Sequence, residues 1–217
     1  MKQLVILGAS GTASDVIEWL PSLAAAGSAY ECLGFLDDDS AKQQTGFAGH
    51  RVLGPLEHAG RWPGARFVDA LGGPRSHRRR ADIVARTSLG DDRFETLVHP
   101  LASVSVRAAL GPGCLVYPFV FIGPGVRLGR HVTVLSHAGI HHETTVGDWS
   151  ILASHVALAG AVTIGEHCYL GMGSRVIGGV TVGNGAMVGM GSVVLRDVPP
   201  SVVVAGSPAR PLNSRIR

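Results

Sequence analysis

From Val104 onward the apolar positions of the chain fall on a period of six. Val104, Leu110, Val116, Ile122, Leu128, Val134, Ile140, Val146, Leu152, Leu158, Ile164, Leu170, Val176, Val182, Val188 and Val194 are all aliphatic, without a break or an insertion. In a chain that is 46% hydrophobic, such a run arises by chance roughly a few times in a million. The residue after the aliphatic one is often glycine, as at Gly111, Gly123, Gly129, Gly147, Gly165, Gly171, Gly183 and Gly189, which reads as a set of corner glycines that permit tight bends. Four residues after it stands a small or β-branched side chain, among them Cys114, Val120, Val126, Val132, Ala138, Ser150, Val156, Val162, Ser174 and Ala186. Six matches neither helical repeat, and Gly with Val at this density disfavours helix. Short strands coiled into a triangular prism fit it, three hexads to a turn with the aliphatic residue inside. Stacked parallel strands lie about 4.8 Å apart, so residues 18 apart should sit one above another over the five turns from Val104 to Val194.

Residues 1–98 alternate apolar strands with amphipathic stretches. A strand ending in Val5, Ile6 and Leu7 runs into Gly8-Ala9-Ser10-Gly11 and then a helix from about Thr12 to Ala26. A second strand, Glu31 to Leu36, ends at Asp37, Asp38 and Asp39; a third, Phe67 to Leu71, leads through Gly72 and Gly73 into a helix from about Arg75 to Ser88. Phe94 to Val98 reads as a fourth strand, and His99-Pro100 marks the entry to the repeat. This alternation predicts a small parallel α/β sheet. The chain thus divides into residues 1–98, a prism over 99–195, and a terminal segment over 196–217.

Composition narrows the function. Charged residues make up 16% of the chain and nearly cancel, with Lys+Arg at 19 and Asp+Glu at 16. The longest basic run, Arg78 to Arg80, falls inside a predicted helix, so no nucleic-acid partner is expected. Cys32, Cys114 and Cys168 are scattered and form no CxxC pair, which points to the cytoplasm rather than to a disulfide framework. Asp15 and Glu18 interrupt the N-terminal apolar run, and no stretch reaches the length of a membrane helix, so a soluble protein without a membrane partner is expected.

The candidate chemistry sits on both halves. Gly8 to Gly11 would offer free N–H groups at a helix N-terminus, which favours an anion such as a phosphate, although a plain strand-to-helix turn explains the same residues. Asp37 and Asp38 stand at the mouth of the sheet, where a carboxylate can accept hydrogen bonds from a base or ribose, or simply form a solvated loop. The prism carries His131, His137, His141, His142, His155 and His167, most of them expected at the surface. His137 and His155 are 18 apart and should stack, but two imidazoles lack further ligands, so no metal site is expected. His142-Glu143 is different, because a carboxylate beside an imidazole can fix its tautomer while the other nitrogen takes a proton. Gly160 follows His142 by one full turn of the coil, so a base and a bare peptide N–H should meet on one edge.

With these features the chain resembles the hexapeptide-repeat acyltransferases, in particular the bacterial sugar-nucleotide acetyltransferases of the bacillosamine and perosamine type, with sialic acid O-acetyltransferases as close relatives. The resemblance covers the GASG turn, Phe35-Leu36-Asp37-Asp38, His99-Pro100, the hexads, Ile140-His141-His142-Glu143, Val146-Gly147-Asp148 and the ending Val204-Ala205-Gly206-Ser207-Pro208-Ala209-Arg210. It implies a Rossmann-like N-terminal domain, a left-handed parallel β-helix, a homotrimer, and acetyl-CoA as co-substrate with no permanently bound cofactor. It also implies that His142 is the catalytic base with Glu143 beside it. Gly160, Met172, Gly178, Met190, Pro208 and Arg210 would lie along CoA, and Gly8, Ser10, Gly11, Asp37 and Asp38 around the sugar nucleotide. Thr12 departs from the His that many relatives carry after the turn. The implied reaction is N-acetylation of a nucleotide-linked 4-amino-4,6-dideoxy sugar. Acetylation of a sugar hydroxyl, as on sialic acid, and a non-catalytic trimer that binds a sugar nucleotide are the competing readings. UDP, GDP and dTDP remain open as the nucleotide.

Overall fold

The computed structural model describes residues 1–212. Its N-terminal part is a four-stranded parallel sheet in the order β3-β2-β1-β4, formed by β1 (Lys2–Leu7), β2 (Tyr30–Leu36), β3 (Val52–Gly54) and β4 (Arg66–Asp69). Leu4 to Leu7, Phe35, Leu36, Phe67 and Val68 are fully buried, as befits a parallel sheet covered on both faces. Helix α1 (Gly11–Ala25) buries Ala13, Val16, Trp19 and Leu23, a spacing of three and four that gives it one apolar stripe. Trp19 also packs edge-on against Tyr117 at 4.3 Å, and the Tyr117 hydroxyl donates to Asp15, so α1 ties the sheet to the prism.

Three details of the first half differ from the sequence expectation. Helix α2 (Ser40–Thr45) and strand β3 are too short and too weakly patterned to be read, though the Asp39 carboxylate caps α2 through the Ala41 N–H. The predicted helix over 75–88 is a 3₁₀ turn, His77–Arg79, continued by α3 (Arg80–Ala85). The predicted strand over 94–98 splits: Phe94 bridges to Phe67, whereas Leu97–Val98 pairs with Leu115–Val116 and is already the first strand of the prism.

The prism has three faces of parallel strands with the predicted register of 18 as far as Val194, as at Thr145↔Thr163, Ile151↔Tyr169 and Ala157↔Arg175, and it shortens to 16 in the last turn, at Val182↔Val198 and Met187↔Val203, before an antiparallel terminal pair. Face one runs from Ala109–Leu110 to Thr181–Val182, face two from Leu97–Val98 to the terminal pair Val203–Gly206 and Ala209–Pro211, and face three from Ser103–Val104 to Val193–Val194. Ile122, Val134, Ile140, Val146, Leu152 and Leu158 are fully buried inside, and the small inward residues Val126, Val132, Ser150, Val156 and Ser174 fill the corners. The corner glycines need a correction. The left-handed conformation falls two positions later in each hexad, at residues such as His131, Glu143, Trp149 and His155, with φ of 54, 59, 63 and 61°. The glycines are required for another reason: a Cβ on Gly147 would come within 2.6 Å of the Gly165 carbonyl carbon in the next coil.

Candidate functional site

His142 and Glu143 form the corner between strands Gly139–Ile140 and Thr145–Val146, where faces three and one meet. The corner is set by hydrogen bonds to the coils on either side, from the Glu143 N–H to the Pro124 carbonyl and from the Ala161 N–H to the His142 carbonyl. Its φ is shared by corners on every edge, so the conformation of Glu143 does not mark a special site. The neighbours do. The Glu143 Oε2 lies 3.7 Å from His142 Nδ1, and both side chains are mostly exposed, at 75% and 61%. In the coil above, a Cβ on Gly160 would fall on the His142 imidazole, so only glycine leaves room for the ring. The Gly160 N–H donates to no backbone carbonyl among the described residues, while its carbonyl accepts from the Gly179 N–H. The edge brings together an imidazole, a carboxylate facing one ring nitrogen, and an uncommitted peptide donor, which is the juxtaposition the register predicts.

Gly178 continues the same column, with its missing Cβ 3.0 Å from the Gly160 carbonyl oxygen. Arg196, 18 residues beyond Gly178 in the sequence, lines a cleft with Leu195, Val204 and Arg210 at the end of the prism. The exposed Ile177 and Leu195 flank this glycine groove. Arg196 was legible from its spacing to Gly178, but the aliphatic pattern draws attention away from it. Met172 and Met190 do not join this edge. They stand, exposed, where faces two and three meet, beside the stacked rings of Phe119, His137 and His155. His137 and His155 stack at 4.8 Å with an interplanar angle of 4°, as expected. Parallel rings aim their lone pairs side by side, and no group of three or more metal-ligating side chains occurs among the described residues. Pro208 closes the terminal hairpin, two residues before Arg210.

At the mouth of the N-terminal sheet, Gly8 takes a φ of 85° and has Leu71 pressed against it, so the turn tolerates no side chain. Ser10 precedes α1 as its cap residue and its hydroxyl reaches the Ala70 carbonyl, while Gly11 is open to solvent. Asp37 is committed to the turn itself: it accepts from the Ala9 and Asp39 N–H groups and pairs with Lys42 at 3.0 Å. Burial opposes its ionisation, but those donors outweigh burial and hold it below the usual carboxylate value. Asp38 accepts from the Leu56 N–H and pairs with Arg86 across a pocket that Gly8, Arg79 and Ile83 also line. Thr12 faces the Tyr117 hydroxyl, on the prism side of α1.

Most of the prism histidines are at the surface, as expected: His137, His141, His142 and His155 are exposed. His131 is the exception, fully buried because the N-terminal domain covers its corner. Its ring stacks on Trp149 at 3.9 Å, and its Nδ1 lies 3.2 Å from Asp69 at the end of β4. The fully buried Arg80 completes the cluster, donating to Asp69 at 2.9 Å, to the Thr133 hydroxyl and to the Trp149 carbonyl. Burial would raise the Asp69 pKa, yet Arg80, then His131 and the Leu71 N–H, hold it low. The cluster welds the two domains, and sequence periodicity carries no trace of it.

Comparison with known proteins agrees with this architecture. Residues 161–196 match the model of the bacterial transferase hexapeptide (six repeats). A comparison with curated sequences returns no match. Among solved structures, PerB from Caulobacter crescentus, crystallised with CoA and GDP-perosamine, is 33% identical over 98% of this chain and 98% of its own, with a TM-score of 0.83. The acetyltransferase domain of PglB from Neisseria gonorrhoeae FA1090 is 28% identical over 98% of this chain and 100% of its own, also at 0.83. WeeI from Acinetobacter baumannii AYE, 20% identical over 98% of this chain and 100% of its own, shares the fold at a TM-score of 0.65. No helix is long and apolar enough to cross a membrane. A parallel-stranded prism with the six-residue repeat, matched over nearly its whole length by an enzyme one-third identical, establishes that the chain is a left-handed β-helix protein of the hexapeptide-repeat sugar N-acetyltransferase family.

Proposed function

We propose that the protein transfers the acetyl group of acetyl-CoA to the amine of a nucleotide-linked 4-amino-4,6-dideoxy sugar, with His142 as general base. The observation that carries this reading is the His142 imidazole lying against the bare Gly160. The Glu143 carboxylate faces Nδ1 and favours the tautomer with its proton there, leaving the Nε2 lone pair free. The sugar amine attacks the thioester carbonyl carbon, and the Gly160 N–H donates to the oxyanion that forms. His142 Nε2 takes the amine proton and returns it to the departing CoA sulfur, giving the amide and free thiol. An amine of near-neutral pKa is already partly unprotonated, so the base contributes within or below about 10²- to 10⁴-fold.

In this reading CoA runs along the Gly160–Gly178 groove toward Arg196 and Arg210, and residues 1–98 hold the sugar nucleotide. Met172 and Met190 stand on another edge of the same chain, so in the proposed homotrimer they would line a donor bound at the His142 edge of a neighbouring copy. Versions of the Caulobacter enzyme with one histidine replaced by alanine or asparagine hold both CoA and GDP-perosamine, which supports a histidine that binding does not need. Three unpaired cysteines, two of them buried, support a cytoplasmic location. A thiol-release assay with acetyl-CoA against UDP-, GDP- and dTDP-linked 4-amino sugars tests the reading. Release is expected with one nucleotide series only, and His142→Ala should lower kcat by about 10²-fold while nucleotide affinity stays the same. Absence of transfer to any amine sinks the proposed reaction, and an unchanged kcat removes His142 from it.

A further inference from the structure

The sugar-nucleotide pocket read from the sequence contains two carboxylates and no cation, yet a nucleoside diphosphate is a polyanion. The structure supplies the missing charge from the basic run that sequence reasoning set aside. Arg78, Arg79 and Arg80 are consecutive, and each meets a different fate. Arg78 reaches the end of the prism, where its Nε donates to the Gly185 carbonyl at 2.8 Å and its Nη2 to that of Ser201 at 3.1 Å. Arg80 is fully buried in the Asp69 cluster. Arg79, clamped between them, is exposed, and its side chain makes neither a hydrogen bond nor an ion pair among the described residues.

Its placement is specific. Arg79, Ile83 and Arg86 are spaced by four and three, so they share one face of the α3 segment, and all three line the pocket that opens on Gly8. The other charges there cancel: Asp37 is neutralised by Lys42, and Asp38 by Arg86 at 2.6 Å. The net excess is the single positive charge of Arg79, held on a backbone whose two neighbouring side chains are anchored to the prism. Anchoring the backbone on both sides places this side chain at the pocket, and its uncommitted planar guanidinium matches the oxygen pairs of a phosphate. We infer that Arg79 binds the diphosphate of the sugar nucleotide, an assignment that rests on the substrate class proposed above and adds the residue that selects diphosphates over less charged nucleotides.

Calorimetry of nucleoside diphosphates and of the matching monophosphates tests this on the intact protein. Arg79→Ala should weaken binding of the preferred diphosphate by roughly 10- to 100-fold, with a smaller loss for the monophosphate. Arg79→Lys should recover part of it. Arg75→Ala removes another exposed arginine that does not line this pocket, and should leave affinity unchanged. In turnover, Arg79→Ala should raise KM for the sugar nucleotide while kcat at saturation and KM for acetyl-CoA hold. Equal diphosphate affinity in Arg79→Ala and the unaltered protein overturns the inference alone. If the unaltered protein binds no nucleotide, the reading of the N-terminal domain falls as well.

Discussion

His131 and His142 are both paired with a carboxylate, stand on one prism within a single turn of each other, and end in opposite surroundings. His131 sits 3.2 Å from Asp69 with no exposed surface, and in the next coil it meets Trp149, whose ring seals it. His142 sits 3.7 Å from Glu143 in the open, and in the next coil it meets Gly160, which has no side chain at all. The acid beside the histidine is therefore a poor guide to chemistry. The residue one coil above decides, because a wide ring makes a wall and a bare peptide makes a slot with a free donor.

Disrupting the buried pair should cost the most. Arg80→Met strips Asp69 of its main cation and leaves a carboxylate buried between domains, which typically destabilises by about 3–5 kcal/mol. Adding Asp69→Leu should restore much of that loss, since a buried pair replaced whole is often close to neutral. Urea unfolding of the two variants measures both, and a single variant as stable as the parent would deny the cluster its role as the weld. Next in size is Gly160→Ala, whose new methyl would displace the His142 ring. It should lower kcat by about 10²-fold with little change in Tm, because the edge is exposed. Gly147→Ala makes the converse control: its methyl strikes the backbone of the next coil, so Tm should fall. If Gly160→Ala lost stability and kept kcat, the contrast between the two corners would be wrong.

Acid should act on the buried region first. His77 and His99 are pushed below the ordinary 6.5 by burial, so below that pH the unfolded chain takes up protons that the folded one does not. Stability should be level above about pH 7 and lose on the order of 1 kcal/mol over the first unit below 6.5. The depressed carboxylates Asp37, Asp69 and Glu95 contribute stability that is complete above their ordinary values of 3.8 to 4.5 and is lost as pH falls through their folded values. A second, steeper decline is therefore expected below about pH 4. A Tm that rises between pH 6.5 and 5 would contradict the buried, neutral state of both imidazoles.

The exposed corner was far more legible than the buried one. The hexad gives every strand of the prism from Ser103–Val104 to Val193–Val194, and a register of 18 places His142 under Gly160, because in a coil of fixed period spacing along the chain becomes position in space. The same arithmetic shows that Met172, which is not a whole number of turns from His142, belongs to another edge. Asp69, Arg80 and His131 obey no such rule. They meet because an α/β domain docks on one corner, and docking is set by shape and charge across the two halves rather than by any repeat within one. Arg79 was hidden for the same reason, since three adjacent arginines look alike until their neighbours are known. The glycine reading failed more narrowly: the pattern showed where Cβ is forbidden, but the next coil's backbone, not the turn's φ, forbids it.

The smallest expected effect is the most diagnostic of assembly. In the isolated chain Glu143 is 75% exposed and 3.7 Å from His142, so water screens the pair and its orienting effect is weak. Glu143→Gln should then lower kcat by no more than about fivefold, far less than His142→Ala. If a neighbouring copy covers this edge during turnover, the same pair operates in a drier setting and the loss grows toward tens of fold. Measuring kcat for Glu143→Gln across ionic strength separates the cases: a loss that salt erases belongs to an open corner, and a large, salt-insensitive loss to a corner enclosed by a second copy. An effect indistinguishable from zero at low salt would leave the imidazole without its partner and reduce the proposed reacting edge to His142 and Gly160.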